Sequence, residues 1–204
     1  MGAAGRRKLD VGREICGLLA LAAARQDAQL GILAFSDQKE LYLAPGKGIR
    51  HAYSLIKRLF ELTPRSPRTA VGAGIKQALG MLKRRSIVLL ISDFIDTNYE
   101  RELTMLARKH DLVVLQLLDK REREFPPLGI VPLHDQETGR TMWVNTSSES
   151  FRARYRATYE QNREQIGQIC RRHRTEFLSI ATDADYVTQL ASLFRRRNQR
   201  GGRA

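Results

Sequence analysis

Residues 84–94 read Arg84-Arg85-Ser86-Ile87-Val88-Leu89-Leu90-Ile91-Ser92-Asp93-Phe94. The run from Ile87 to Ile91 is unbroken aliphatic, of strand length, and without polar alternation. That is the pattern of a parallel strand covered on both faces, predicted here over Ser86 to Ser92. Asp93 closes the run. Asp96 or Thr97 is placed to cap a following helix whose first turn carries Glu100 and Glu102, favourable at the positive end of the dipole. Leu103, Leu106 and Ala107 form the predicted buried face of that helix, and His110-Asp111 turns the chain into a second apolar strand, Leu112 to Leu118. Strand–helix–strand alternation of this kind predicts an α/β fold, doubly wound, with a mostly parallel sheet and helices on both faces.

Upstream, Val11, Ile15, Leu18, Leu19, Ala22 and Ala23 share a helical face. The basic start and the apolar Ile15–Ala24 stretch superficially resemble a secretory leader, but Asp10 and Glu14 interrupt it, and an amphipathic packing helix is the better reading. Leu30 to Phe35 and Leu41 to Leu43 are predicted as short strands around the turn Ser36-Asp37-Gln38-Lys39. A helix over Ile49 to Leu62, with Tyr53, Ile56, Leu59 and Phe60 on its packing side, leads into a proline-containing loop at 63–68. A helix over Thr69 to Leu82 follows.

Downstream, residues 119–147 change pattern: Ile130 to Leu133 and Thr141 to Val144, around Asp135-Gln136-Glu137-Thr138-Gly139, predict a small inserted β-hairpin. A long helix over Glu149 to Arg172, a strand over Phe177 to Ile180 and a helix over Tyr186 to Arg196 complete one domain, 1–197. The packing stripe of the last helix is read as Val187, Leu190, Ala191 and Phe194. Residues 198–204 read as a disordered basic tail, so that removing Arg195 to Ala204 is expected to leave the fold nearly unchanged.

Of 204 residues, 42% are hydrophobic and 28% charged, the balance of a globular chain. No apolar run approaches the roughly 20 residues of a membrane span. Two cysteines, Cys16 and Cys170, suit a reducing compartment, and a cytoplasmic location is the expectation. Lys+Arg 35 against Asp+Glu 22 leaves a net charge of +13. The arginines are scattered along helices with few interleaved aromatics, so a solvated basic face outweighs a nucleic-acid- or anionic-surface-binding domain, which stays as the alternative. The four histidines, His51, His110, His134 and His173, have no metal-ligand spacing, and no phosphate loop or nucleophile elbow is present. Asp93, at the carboxyl end of a buried strand, suits a cation or phosphate, or else caps the next turn. Thr69 opens a helix and reads first as an N-cap.

Leu30-Gly31-Ile32-Leu33-Ala34-Phe35-Ser36-Asp37 and the 84–94 segment, continued by His110-Asp111-Leu112-Val113-Val114, Asp119-Lys120-Arg121-Glu122, Trp143-Val144-Asn145-Thr146, Arg154-Tyr155 and Thr182-Asp183, resemble the bacterial domain-of-unknown-function fifty-eight family. That family is similar to von Willebrand factor A domains. The resemblance implies a protein-interaction module rather than an enzyme, partnered by a MoxR-type AAA ATPase in chaperone-like maturation or metal insertion. A hydrolase using a metal at Asp93 is the least favoured reading. The resemblance further implies a metal-ion-dependent adhesion site in which Thr69 and Asp93 would be Mg²⁺ ligands, with Ser36, Asp37, Ser92 and Phe94 meeting the partner. Its Asp-x-Ser-x-Ser loop has no counterpart before the first helix, so the site is incomplete and Mg²⁺ binding is expected to be weak or absent. The strand carrying that loop is likewise expected to be missing from the sheet's centre, between Leu30–Phe35 and Ser86–Ser92. The chain is accordingly expected to be an N-terminally truncated member, poorly folded or aggregation-prone alone.

Overall fold

The structure is a computed structural model that describes residues 7–66, 68–96, 98–119, 127–134 and 141–201. Thr97, the turn at Asp135 to Gly139 and the first six residues, all named above, lie outside the described residues. The fold is mixed α/β, built round a three-stranded parallel sheet. In chain order the elements are α1 (Lys8–Arg25), β1 (Leu30–Phe35), β2 (Lys39–Gly46), α2 (Gly48–Glu61), α3 (Val71–Met81) and β3 (Ile87–Ser92). They continue with α4 (Glu100–Lys109), β4 (Asp111–Leu118), β5 (Ile130–His134), β6 (Thr141–Asn145), α5 (Glu149–Arg172), β7 (Glu176–Ala181) and α6 (Tyr186–Gly201).

β4 is the centre of the parallel sheet. It pairs with β3 on one side and β7 on the other, and Leu112 to Leu117 are all buried. Its side chains alternate between two cores, as the two-residue period of a strand requires. Leu112 and Val114, with Leu90, pack beneath Val71 and Ile75 of α3, Leu103 and Leu106 of α4, and Ile166 and Ile169 of α5. Val113, Leu115 and Leu117, with Ile180, pack against Val11 and Ile15 of α1 and Leu190 and Leu193 of α6. Helices therefore cover both faces.

β3 departs from its expected environment. The run 87–91 predicts burial on both sides, yet only Leu90 is buried and Ile87 is 63% exposed. The reason is topological: among the described residues β3 pairs with β4 alone and is an edge strand. Among the described residues β1 pairs only with β2, antiparallel, in a separate two-stranded sheet, and all six residues of β1 are half-buried. Both strands pack on the α3 core. Phe35 of β1 packs on the α3 core that also holds Val88 and Leu90, and α1 contacts both β1 and β4.

The close approach of β1 to α3 is made at one glycine. A Cβ on Gly74 would fall 2.2 Å from the Phe35 ring, and 2.4 Å from Cγ at the ring's root, where a rotation gives little relief. Gly74→Ala is expected to cost about 1–3 kcal/mol through overpacking, and a melting temperature equal to that of the unchanged chain would refute this contact.

Several helices differ from expectation in which face they bury. In α2 the buried residues are Ala52, Leu55 and Leu59, while Ile49, Tyr53 and Phe60 are exposed. Of the predicted side, Leu59 is buried and Ile56 is half-buried beside Gly17 of α1, while Tyr53 and Phe60 face outward. In α6 the buried stripe is Tyr186, Leu190 and Leu193, with Val187 51% exposed. The helix also runs on to Gly201, and the Arg197 guanidinium donates to the Asp111 carboxylate at the start of β4. The expected tail boundary near 197 is corrected accordingly: helical residues beyond Phe194 tie the C-terminal end to the sheet. Glu14 of α1 accepts from the Tyr186 hydroxyl, linking the first helix to the last.

His110, between α4 and β4, is 2% exposed, and neither ring nitrogen has a hydrogen-bond partner among the described residues. Burial holds its imidazole below the ordinary value of 6.5, with the charges of Lys109 and Arg85 adding in the same direction. A histidine kept neutral in the fold but free to protonate when unfolded makes the unfolded state bind more protons below that value. Stability should therefore rise as pH climbs through the region below 6.5 and level off above it. Urea unfolding at pH 5.5 and 7.5 checks this: His110→Leu should flatten the difference, and an unchanged slope would assign it to other groups. Glu40 and Asp185 are held low by hydrogen bonds, from Ser36 and Thr188 first, and their contributions are lost only at more acidic pH.

Candidate functional site

Four segments meet at the carboxyl end of the parallel sheet. The β3–α4 loop starts with Ser92, whose Oγ accepts from the Phe94 amide at 3.1 Å. Asp93 follows. Its Oδ1 accepts from the Ile95 amide at 3.3 Å, so it does cap its own turn. Its Oδ2 lies 2.5 Å from Nζ of Lys8, the first residue of α1, with the two side chains 29% and 21% exposed. From beneath, the Gln116 side-chain amide on β4 reaches the Asp93 carbonyl at 3.5 Å, and Asn162 on α5 donates to the Phe94 carbonyl at 2.9 Å.

The loop is strained. Phe94 and Asn98 hold left-handed backbones, φ 57° and 63°. For asparagine that region is accessible; for a bulky phenylalanine it is a true outlier, kept only where surrounding structure over-determines it. Phe94 is fully buried and packs against Tyr99, ring centroids 5.6 Å apart. Its expected role at a partner is thereby corrected: the ring belongs to the core, while the neighbouring Ile95 is 55% exposed.

Asp96 does not cap α4, whose N-cap is Tyr99 without a side-chain bond. It reaches across instead and accepts from the Val71 amide at 2.7 Å, capping α3. Thr69 is exposed and Ala70 is the N-cap of α3, without a side-chain bond of its own. The capping reading of Thr69 is corrected by a carboxylate arriving from another loop, a partner that local sequence cannot reveal. The Ala70 amide, in turn, donates to the Ser36 carbonyl at 3.2 Å.

Ser36 is 7% exposed. Its hydroxyl donates to Glu40 Oε1 at 2.6 Å, and Glu40 also accepts from the amides of Arg65 and Ser66 at 3.0 and 3.3 Å. The Ser36 hydroxyl, then the Arg65 amide, hold the Glu40 carboxyl below its usual range. Glu40 thus staples the β1–β2 turn to the 63–70 loop. Asp37, beside it, is exposed. Sequence reasoning missed both Glu40 and Lys8, the first at the start of an ordinary strand and the second at the basic start of α1. A cleft of about 810 Å³ flanks the strained loop, lined by Asp96, Asn98, Tyr99, Arg101, Thr158 and Asn162 among others. There burial, then the charge of Asp96, pushes the Tyr99 hydroxyl up to about 12.

Residues 1–165 match the family described as "Protein of unknown function DUF58". The chain belongs to the DUF58 family. An uncharacterized protein of Mycobacterium avium is 28% identical over 166 residues, covering 78% of this chain and 97% of that protein. Another from Mycobacterium bovis is 26% identical over 199 residues, and this chain spans only 61% of its length. Among solved structures, the conserved hypothetical protein BatB of Bacteroides thetaiotaomicron superposes with a TM-score of 0.56 at 12% identity, covering 93% of this chain and 87% of that one. An aerotolerance-related membrane protein of Bacteroides fragilis gives 0.55 at 12% identity, covering 94% and 88%. These likenesses concern the fold. In this DUF58 chain, no helix among the described residues is long and apolar enough to cross a membrane.

The Mg²⁺ site that the resemblance implies finds a poor donor set in this DUF58 domain. Mg²⁺ needs near-octahedral oxygen coordination. Asp93 already holds an ammonium, Thr69 points to solvent exposure rather than burial, and no cluster of three His, Cys, Asp or Glu suited to a metal occurs among the described residues. The residues present do not fit the ion.

Proposed function

We propose that this domain is a protein-interaction module of von Willebrand A type, an accessory partner of a MoxR-type AAA ATPase in chaperone-like maturation or metal insertion. The observation that carries the reading is the convergence of four segments on one edge. The start of α1, the β1–β2 turn, the 63–70 loop and the β3–α4 loop are cross-tied by Lys8–Asp93, Ser36–Ala70, Asp96–Val71 and Glu40 with Arg65 and Ser66. Ligands of doubly wound sheets bind beyond the carboxyl ends of the strands, and a rigid frame carrying exposed Asp37 and Ile95 suits recognition of a surface. The family resemblance supplies both the von Willebrand A comparison and the kind of partner. The test is calorimetry with a purified MoxR-type AAA ATPase from the same organism, using Asp37→Ala and Ile95→Ser variants. Binding that weakens in both variants is the expected result. No binding to the ATPase, together with a salt-dependent shift of nucleic acid, would replace this reading with the basic-surface alternative.

A further inference from the structure

The carboxylate at the recognition edge has a cation, and it is covalently part of the chain. Lys8 opens α1, in the first turn, where the positive end of the helix dipole disfavours a cation. Nothing about the helix itself favours lysine there. No side chain caps that end either: Arg7 is the N-cap and makes no side-chain bond. Yet Lys8 Nζ lies 2.5 Å from Asp93 Oδ2, across 85 residues of sequence, with both side chains largely withdrawn from solvent. A charge-assisted bond in that setting is stronger than an exposed pair, and it offsets the unfavourable helix position.

We infer that the Lys8 ammonium takes the place of a divalent cation at Asp93, so that this edge is charge-balanced and tied to α1 without any metal. A Mg²⁺ ion would have to approach the same carboxylate oxygen against an ammonium already in contact with it, and would gain one protein carboxylate from this pair in return for shedding part of a tightly held water shell. The tie also has a structural consequence. It fixes the start of α1 to the end of β3, joining the helix that covers β1 and β4 to the loop that carries Ile95. Recognition at this edge is therefore independent of Mg²⁺. The inference concerns the same edge as the proposed function, but its test reads cation occupancy and coupling rather than partner binding, so that either can fail while the other stands.

The test uses the full 204-residue chain. Mn²⁺ is titrated into the ¹⁵N-labelled unmodified protein, and melting temperatures are compared in EDTA and in excess MgCl₂. The expected result is no selective, saturable broadening of the amides of residues 92–96 and no change in melting temperature. Saturable broadening confined to those amides, or stabilisation by Mg²⁺, overturns the inference. In parallel, Lys8→Met and Asp93→Asn are each expected to lower the melting temperature, with the double variant no lower than the worse single one. Strictly additive losses also overturn it, because they would mean that the two side chains act apart. Should a variant fail to fold, the Mn²⁺ titration of the unmodified chain still decides.

Discussion

Replacing Phe94 by alanine is expected to remove about 3–5 kcal/mol of stability, the usual cost of emptying a buried phenylalanine site. Against a typical total of about 5–15 kcal/mol that loss is large enough to unfold a marginal domain. The ring is fully buried, packs on Tyr99 at 5.6 Å and sits in the same core as Val71, Leu103 and Ile166. A second term makes the prediction specific. Phe94 holds φ 57°, a region that costs an ordinary L-residue about 1–2 kcal/mol and glycine almost nothing. Alanine loses the ring and keeps the strain; glycine loses the ring and relieves it. In urea unfolding Phe94→Gly should therefore be less damaging than Phe94→Ala, the reverse of the order found on a helix. If alanine proves the milder change, the loop is not strained as described.

The parts of this fold that were legible in the sequence are those governed by local pattern. The helix over Glu149 to Arg172 has the same bounds in both readings, because Ser148 is a true N-cap, accepting from the Phe151 amide. The pairing of β3 with β4 followed from two apolar runs, predicted over 86–92 and 112–118, with a helical period between them. What could not be read was which run lies at the centre. Ile87 to Ile91 and Leu112 to Leu118 are similar in composition, yet one is an edge and the other is buried, and only pairing decides that. The same limit applies at the site. Asp93 was found because its position at a strand end is a sequence property. Its partner Lys8, the long-range cap from Asp96 to Val71, and the Glu40 staple depend on side chains brought together from distant segments. Such bonds leave no periodic trace. Phe94 was misplaced for a related reason: an aromatic after a strand looks exposed until a left-handed turn folds it inward.

The 204-residue chain should self-associate as its concentration rises, and the determinant should be the free edges of β3 and β1. Among the described residues each of these strands pairs on one side only, β3 with β4 and β1 with β2. An unpaired edge offers a row of N–H and C=O groups to any other strand. Each such group costs on the order of 1–3 kcal/mol where it is buried without a partner. Here the edge is also apolar: Ile87 is 63% exposed, and Val88, Leu89 and Ile91 are only half-buried although their composition is that of a core strand. Edge strands of soluble proteins are ordinarily guarded by charge, proline or a bulge, and Ile87 to Ser92 has none of the first two. Sedimentation velocity across a hundredfold concentration range measures the effect. The unmodified chain should shift to larger species, while Ile87→Lys, which places a charge at the most exposed point of that edge, should hold it nearer the monomer with its circular dichroism unchanged. A chain that stays monomeric throughout and unfolds cooperatively would mean that the lane between β1 and β3 is closed by packing, and that neither edge is available to another strand.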